Sequence, residues 1–147
     1  MLSDDQILAN IPQRHPFLFI DKLVSYDEST ITTSKKLTGE EDFFKGHFPG
    51  EPIFPGVLMC EAAFQTGALL MSLKGSGTDG QSNKKAMVTR IQGAKFKNMA
   101  KPGDELFIKV DFVEMMANAA FFKAKITVDN KTIMTIEFAA ALVEEQA

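Results

Sequence analysis

The longest apolar stretch of the chain, VLMCEAAFQTGALLMSL over residues 57–73, carries one formal charge, at Glu61. It is shorter than the roughly 20 residues that a bilayer requires and places Glu61, Gln65 and Thr66 within three turns, so it predicts a buried core helix and no membrane span. Apolar residues occupy most of the helix circumference, which predicts burial on several sides. A period of two appears elsewhere: Leu106, Ile108, Val110 and Phe112 share one face, and Phe107, Lys109, Asp111 and Val113 share the other. The second face is mixed and reads as covered as well. Strands are predicted over residues 17–24, 30–37, 86–91, 104–113, 120–128 and 132–142, rich in β-branched and aromatic residues. SYDES joins the first two as a hairpin, and Asp129-Asn130 reads as a tight turn between the last two. Ser3 and Gln6 have capping-box spacing ahead of Ile7, Leu8 and Ile11, which predicts a short helix over residues 4–10. The stretch GHFPGEPIFPG packs three Gly and three Pro into eleven residues, predicting an irregular but tightly fixed loop. KGSGTDGQSNKK over residues 74–85 reads as a polar surface loop.

One long apolar helix among about six antiparallel strands predicts a single α+β domain over residues 1–147, with the sheet curled around the helix. A sheet of this size wraps only part of such a helix, and the remainder is expected to meet a second subunit. Hydrophobic residues at 45% and charged residues at 24% exclude a disordered chain. Sixteen Lys and Arg against nineteen Asp and Glu give a net charge of −3, which disfavours a nucleic-acid partner. A single cysteine, Cys60, and an N-terminus without a basic start and apolar stretch fit a reducing cytoplasm.

His47 lies in the Gly-Pro loop and Glu61 on the apolar helix fourteen residues downstream. A carboxyl group among Leu58, Ala62 and Leu69 is desolvated and holds its proton tightly, the environment of a general acid. A neutral histidine on a loop held by prolines acts as a base near neutral pH. Gly56, following Pro55 at the helix start, leaves an unpaired amide at the positive end of the dipole, suited to polarising a carbonyl. Together these groups suit proton removal α to a carbonyl and expulsion of a β-hydroxyl. For His47 or Glu61 taken alone, a structural role with a hydrogen-bond partner stays open. Two histidines thirty-two residues apart with no HExxH do not make a zinc site, and the chain has neither GxGxxG, a phosphate loop nor a GxSxG elbow, so neither metal nor nucleotide cofactor is expected. Between Asp79 and Asp104 the chain carries six basic residues (Lys84, Lys85, Arg90, Lys95, Lys97 and Lys101) and no acidic ones.

The segments RHPFLFIDKL, FFKGHFPGEPIFPGVLMCEAAFQ and AKFKNMAKPGDEL closely resemble, in order and spacing, the FabZ-type (3R)-hydroxyacyl-acyl carrier protein dehydratases, and the resemblance covers nearly the whole chain. It implies a hot-dog fold and a homodimer whose two sheets run together, with a trimer of dimers in many relatives. It also implies active sites formed by His47 of one subunit and Glu61 of the other, the Gly56 amide on the thioester carbonyl, and Gln65 supporting the acid. The partner implied is an acyl carrier protein carrying a 3-hydroxyacyl chain; the charge pattern itself predicts that it docks on the basic segment through Arg90, Lys95, Lys97 and Lys101, with a solvated sheet edge as the alternative reading. Relatives that also isomerise the double bond typically carry Asp where this chain has Glu61, so dehydration alone is implied. His15 stands where the family usually has Tyr, and Met87 where many members have an aromatic tunnel residue. A hot-dog acyl thioesterase and a non-catalytic acyl-binding module are the competing readings.

Overall fold

The chain runs α1 (Asp4–Asn10), β1 (Lys22–Tyr26), β2 (Thr30–Lys36), α2 (Phe43–Gly46), α3 (Gly56–Leu73), β3 (Lys84–Phe96), β4 (Glu105–Met116), β5 (Ala119–Val128) and β6 (Lys131–Glu144). The computed structural model describes residues 4–46, 50–75 and 84–144. Its six strands form one antiparallel sheet in the order β1-β2-β4-β5-β6-β3, with α3 packed on one face.

The period-two pattern on β4 decides which face receives the helix: Leu106, Ile108 and Val110 are fully buried, and Phe107 and Val113 remain exposed on the opposite side. Covering of that second face, expected from its mixed composition, does not occur among the described residues. Two contacts set the depth of α3. Thr66 Oγ1 donates to the Ala62 carbonyl at 2.8 Å and lies 2.7 Å from Thr33 Oγ1, so the Thr33 hydroxyl supplies the proton of that second bond and both buried hydroxyls are satisfied. At Gly67 a Cβ would sit 2.9 Å from Phe138 Cζ, so glycine lets the helix press against the sheet. The β5–β6 turn has Asp129 and Asn130 at φ 50° and 65°, the left-handed pair that a two-residue hairpin requires.

Several sequence expectations are corrected. The apolar run at 17–24 does not form a strand until Lys22. Ahead of it, the Phe17 carbonyl and the Phe19 amide bond to a side chain instead of a neighbouring strand. The Gly-Pro loop is preceded by a helical turn, α2, that composition did not signal. The strand expected at 86–91 extends over Lys84–Phe96, taking Lys84 and Lys85 from the expected loop. Two bulges, between Val88 and Arg90 and between Gln92 and Lys95, break its alternation and hide its length from a periodic reading. Gly93, at φ 64°, sits in the second. Ser3 and residues 76–83 of the expected loop lie outside the described residues.

Candidate active site

Glu61 occupies the one stripe of α3 that the sheet leaves partly open. Val57, Glu61 and Phe64, spaced by four and three residues, fall on a common helix face, and none of them is fully buried. One turn further on, Gln65 is completely buried and lies on the Glu61 side of the helix. Its Oε1 accepts from the Phe19 amide at 2.9 Å, while its Nε2 donates to the Phe17 carbonyl at 2.9 Å and to Glu61 Oε2 at 3.0 Å. A carbonyl and an amide two residues apart are what an adjacent strand would meet in a ladder. The Gln65 side chain takes the place of that strand for the Phe17 carbonyl and the Phe19 amide. The arrangement also fixes the amide orientation: the Phe19 N–H requires the oxygen, so both Gln65 N–H groups face acceptors. Burial pushes the Glu61 carboxyl above the usual carboxylate range, and the Gln65 hydrogen bond opposes that rise in part.

Gly56 begins α3 after Pro55, whose extended backbone (φ −60°, ψ 136°) ends the loop. The amides of Leu58 and Met59 both donate to the Pro55 carbonyl, at 3.0 and 3.1 Å. Among the described residues the Gly56 amide has no acceptor, as the first position of a helix dictates. A Cβ at Gly56 would lie 3.0 Å from the Phe96 ring, so the aromatic face closes directly over the glycine. Glu61 lies five residues further along the same helix, about 7.5 Å of axial rise from this amide.

His47 lies outside the described residues. The chain on its N-terminal side is anchored as far as Gly46: Phe44 is buried, and Phe43 packs on Phe54 and Phe19 with ring centroids 5.1 and 6.1 Å apart. Beyond it, Phe54 donates its amide to the Ala100 carbonyl at 2.7 Å. Phe19 therefore belongs both to the segment that holds Gln65 and to the aromatic cluster flanking His47. Cys60 is buried beside Glu61, and burial raises its thiol above the ordinary cysteine value, as core packing requires.

Lys95, Lys97 and Lys101 are exposed, and Lys101 lines a groove of about 750 Å³ with Lys131, Met99 and Ile53. Arg90 is not brought to that groove: it borders a separate pit of about 120 Å³ with Glu114, Glu137 and Lys123. One feature had no periodic signal. Lys35 points to the helix side of β2, opposite the fully buried Leu106, and is itself buried. In the polar run TITTSKKL nothing distinguishes it from an exposed lysine.

A family model described as a FabA-like domain matches residues 11–137. The 3-hydroxyacyl-[acyl-carrier-protein] dehydratase FabZ of Caulobacter vibrioides (strain NA1000 / CB15N) is 40% identical over 140 residues, covering 95% of this chain and 87% of the relative. The protein of the same name from Bacillus subtilis (strain 168) is 35% identical over 145 residues, covering 98% of this chain and 100% of the relative. Among solved structures, the dehydratase heterocomplex ApeI:P from Xenorhabdus doucetiae superposes with a TM-score of 0.81 at 12% identity, over 98% of this chain and 93% of the other. The E. coli PaaI protein superposes with a TM-score of 0.64 at 15% identity, over 82% and 81% of the two chains. At those identities the superpositions speak for the hot-dog fold alone. With a family model across most of its length and relatives at this identity from end to end, the chain belongs to the FabA-like family, among its FabZ-type members.

Proposed function

We propose that this chain dehydrates a (3R)-3-hydroxyacyl-acyl carrier protein to the trans-2-enoyl thioester in fatty acid biosynthesis, in the cytoplasm and without metal or nucleotide cofactor. The observation that carries the reading is the Glu61 carboxyl, desolvated on a core helix and held by one hydrogen bond from a side chain that cannot turn. His47 removes the C2 proton. Glu61 delivers its proton to the departing C3 hydroxyl, which leaves as water as the C2–C3 double bond forms. The unpaired Gly56 amide accepts the charge that develops on the thioester oxygen, aided by the positive end of α3. One proton enters the protein at His47 and one leaves at Glu61, so a single proton transfer between them through solvent resets the site.

The working unit of this reading is a homodimer that shares its sites. β3 is an edge strand of 13 residues with one free side, and such an edge invites pairing. Val57, 74% exposed, and Phe96, 52% exposed, add an apolar surface beside the open stripe of α3. A second copy joined along β3 covers both. The carrier protein docks through Lys95, Lys97 and Lys101; Arg90, set among acidic neighbours, is left out of this surface.

Mixing two inactive variants tests the reading. His47→Ala lacks the base and Glu61→Gln lacks the acid, so each homodimer is expected to be nearly inactive on 3-hydroxyacyl-acyl carrier protein, with the enoyl product read by mass analysis. Denaturing, mixing in equal amounts and refolding makes about half of the dimers mixed, and about a quarter of all sites regain two intact residues. Recovery near a quarter of refolded wild type supports shared sites, whereas recovery no better than the unmixed variants refutes them. Free acid in place of enoyl product would replace the dehydratase reading with a thioesterase.

A further inference from the structure

We propose that Phe96 is a positioning residue for the dehydration: its ring, laid against Gly56, shields from water the amide that polarises the thioester carbonyl. The inference rests on the reading of Gly56 as that donor, and the contact it uses lies within one chain.

The backbone does not require glycine at position 56. Gly56 is not among the glycines with positive φ, and most side chains serve a helix better than glycine does. What excludes a side chain is the ring of Phe96. A Cβ on Gly56 would lie 3.0 Å from its Cε1, 3.2 Å from its Cδ1 and 3.3 Å from its Cζ, and these are the three nearest atoms. The ring reaches this place because β3 is irregular. In an unbroken strand Phe96 would share a face with Gln92, four residues before it. Gln92 is exposed and pairs with the exposed Glu137 on the solvent side of the sheet. The bulge between Gln92 and Lys95, with Gly93 at φ 64°, adds one residue and inverts the alternation, so Phe96 pairs with the fully buried Met134 and turns towards α3. The next two residues pin it there. The amides of Lys97 and Asn98 both donate to the Ile133 carbonyl, at 2.8 and 3.4 Å, and Asn98 Nδ2 donates to the Thr132 carbonyl at 3.0 Å.

A ring placed for core packing alone would be buried, yet within the chain Phe96 stays 52% exposed. One part of it closes on Gly56, and the rest borders open space beside the start of α3. A hydrocarbon ring in this place keeps water away from the amide and offers it no carbonyl or carboxylate to bond. A donor shielded from water stabilises developing charge more strongly than a solvated one. The gain falls mainly on the transition state, where the thioester oxygen carries more charge than in the bound substrate.

The test is a double-mutant cycle on Phe96→Ala and Gly56→Ala, with Phe96→Leu as the conservative variant. All are assayed on 3-hydroxyacyl-acyl carrier protein at a concentration where light scattering gives the wild-type mass, because Phe96 lies on the strand along which a second copy is proposed to join. Phe96→Ala is expected to lower kcat about 10- to 50-fold with KM within about threefold of wild type, less than the loss from deleting an oxyanion donor outright. Phe96→Leu, which keeps an apolar cover, should recover most of it. Gly56→Ala keeps the amide and pushes the ring aside, so it should slow kcat comparably, and the double variant should be within about twofold of the slower single one. Should Phe96→Ala fail to assemble, Gly56→Ala and Phe96→Leu carry the test, since both keep a large apolar side chain on β3. A wild-type kcat in assembled Phe96→Ala or in Gly56→Ala, a change in KM alone, or losses that multiply in the double variant overturns the inference, while enoyl product from wild type leaves the dehydratase reading standing. A wild type that forms no enoyl product overturns both.

Discussion

Replacing Gln65 with Leu removes three hydrogen bonds at nearly constant volume and separates their contributions. The Phe19 residue is buried, so its amide loses its acceptor with no access to water, a cost of about 1–3 kcal/mol. Phe17 is half-exposed, and its carbonyl rehydrates after a small opening of the chain, adding about 0.5–1.5 kcal/mol. Leucine returns part of this through burial of its own apolar surface, which leaves a net destabilisation of about 2–3 kcal/mol. For a chain of this length that corresponds to a fall in Tm of about 5–10 °C. Equilibrium unfolding in urea at fixed protomer concentration measures it, and the slope should match wild type, since the native fold is kept. A loss below about 0.5 kcal/mol would show that residues 17–19 are held by something other than the Gln65 amide. The site should respond in parallel. Without the Gln65 donor the Glu61 carboxyl rises further above the usual carboxylate range, so the limb of the kcat–pH profile that falls as Glu61 ionises should move to higher pH.

Gly67→Ala should destabilise by about 0–2 kcal/mol in the same assay: overpacking against Phe138 costs about 1–3 kcal/mol, and alanine's helix propensity returns about 1. Phe138 is held between Phe122 and Phe64, at ring separations of 5.0 and 4.9 Å, and has little room to yield, so a clear stabilisation would refute this packing. For Glu61→Gln the sign follows from the raised carboxyl: the folded chain holds this proton more tightly than the unfolded one, so wild-type stability is fullest below the ordinary glutamate value and falls as pH rises through the folded value. The variant, which keeps an acceptor for Gln65, should therefore gain on wild type as pH rises from about 4 to 8, and a gap independent of pH would contradict it.

The helix and its lone carboxyl were legible because a single charge inside a long apolar run stands out against the pattern. The sheet was legible in outline for a similar reason, since Leu106, Ile108 and Val110 alternate cleanly where one face packs on α3. The failures share a cause: each concerns a backbone or charge whose partner is distant in sequence. FLF reads as the start of a strand because its composition is that of a strand, and its partner is the side chain of Gln65, 46 residues after Phe19. Lys35 reads as a surface residue because its carboxylates lie fourteen residues before it and six after it, on segments that meet only in the fold. The length of β3 was hidden by its bulges, where two residues oppose one and the period is lost. His47 and Gly56 were singled out by the density of proline and glycine around them, a composition that is read without any tertiary contact.

The carboxyl of a general acid must stay protonated near neutral pH and yet give up its proton to a hydroxyl, which limits how it can be held. Burial with no donor would hold the proton too firmly, and two or three donors would favour the carboxylate and empty it. Among the described residues Glu61 receives one donor, from Gln65. Because Gln65 Oε1 is committed to the Phe19 amide, the group cannot rotate to offer an acceptor instead, and the donor always meets Oε2. That contact favours the carbonyl character of Oε2, so a proton on the carboxyl resides on Oε1. The non-strand conformation of residues 17–19 therefore sets the hydrogen bonding of Glu61: a continuous β1 would pair these peptide groups with another strand and leave Gln65, and with it the protonation site of the Glu61 carboxyl, undetermined.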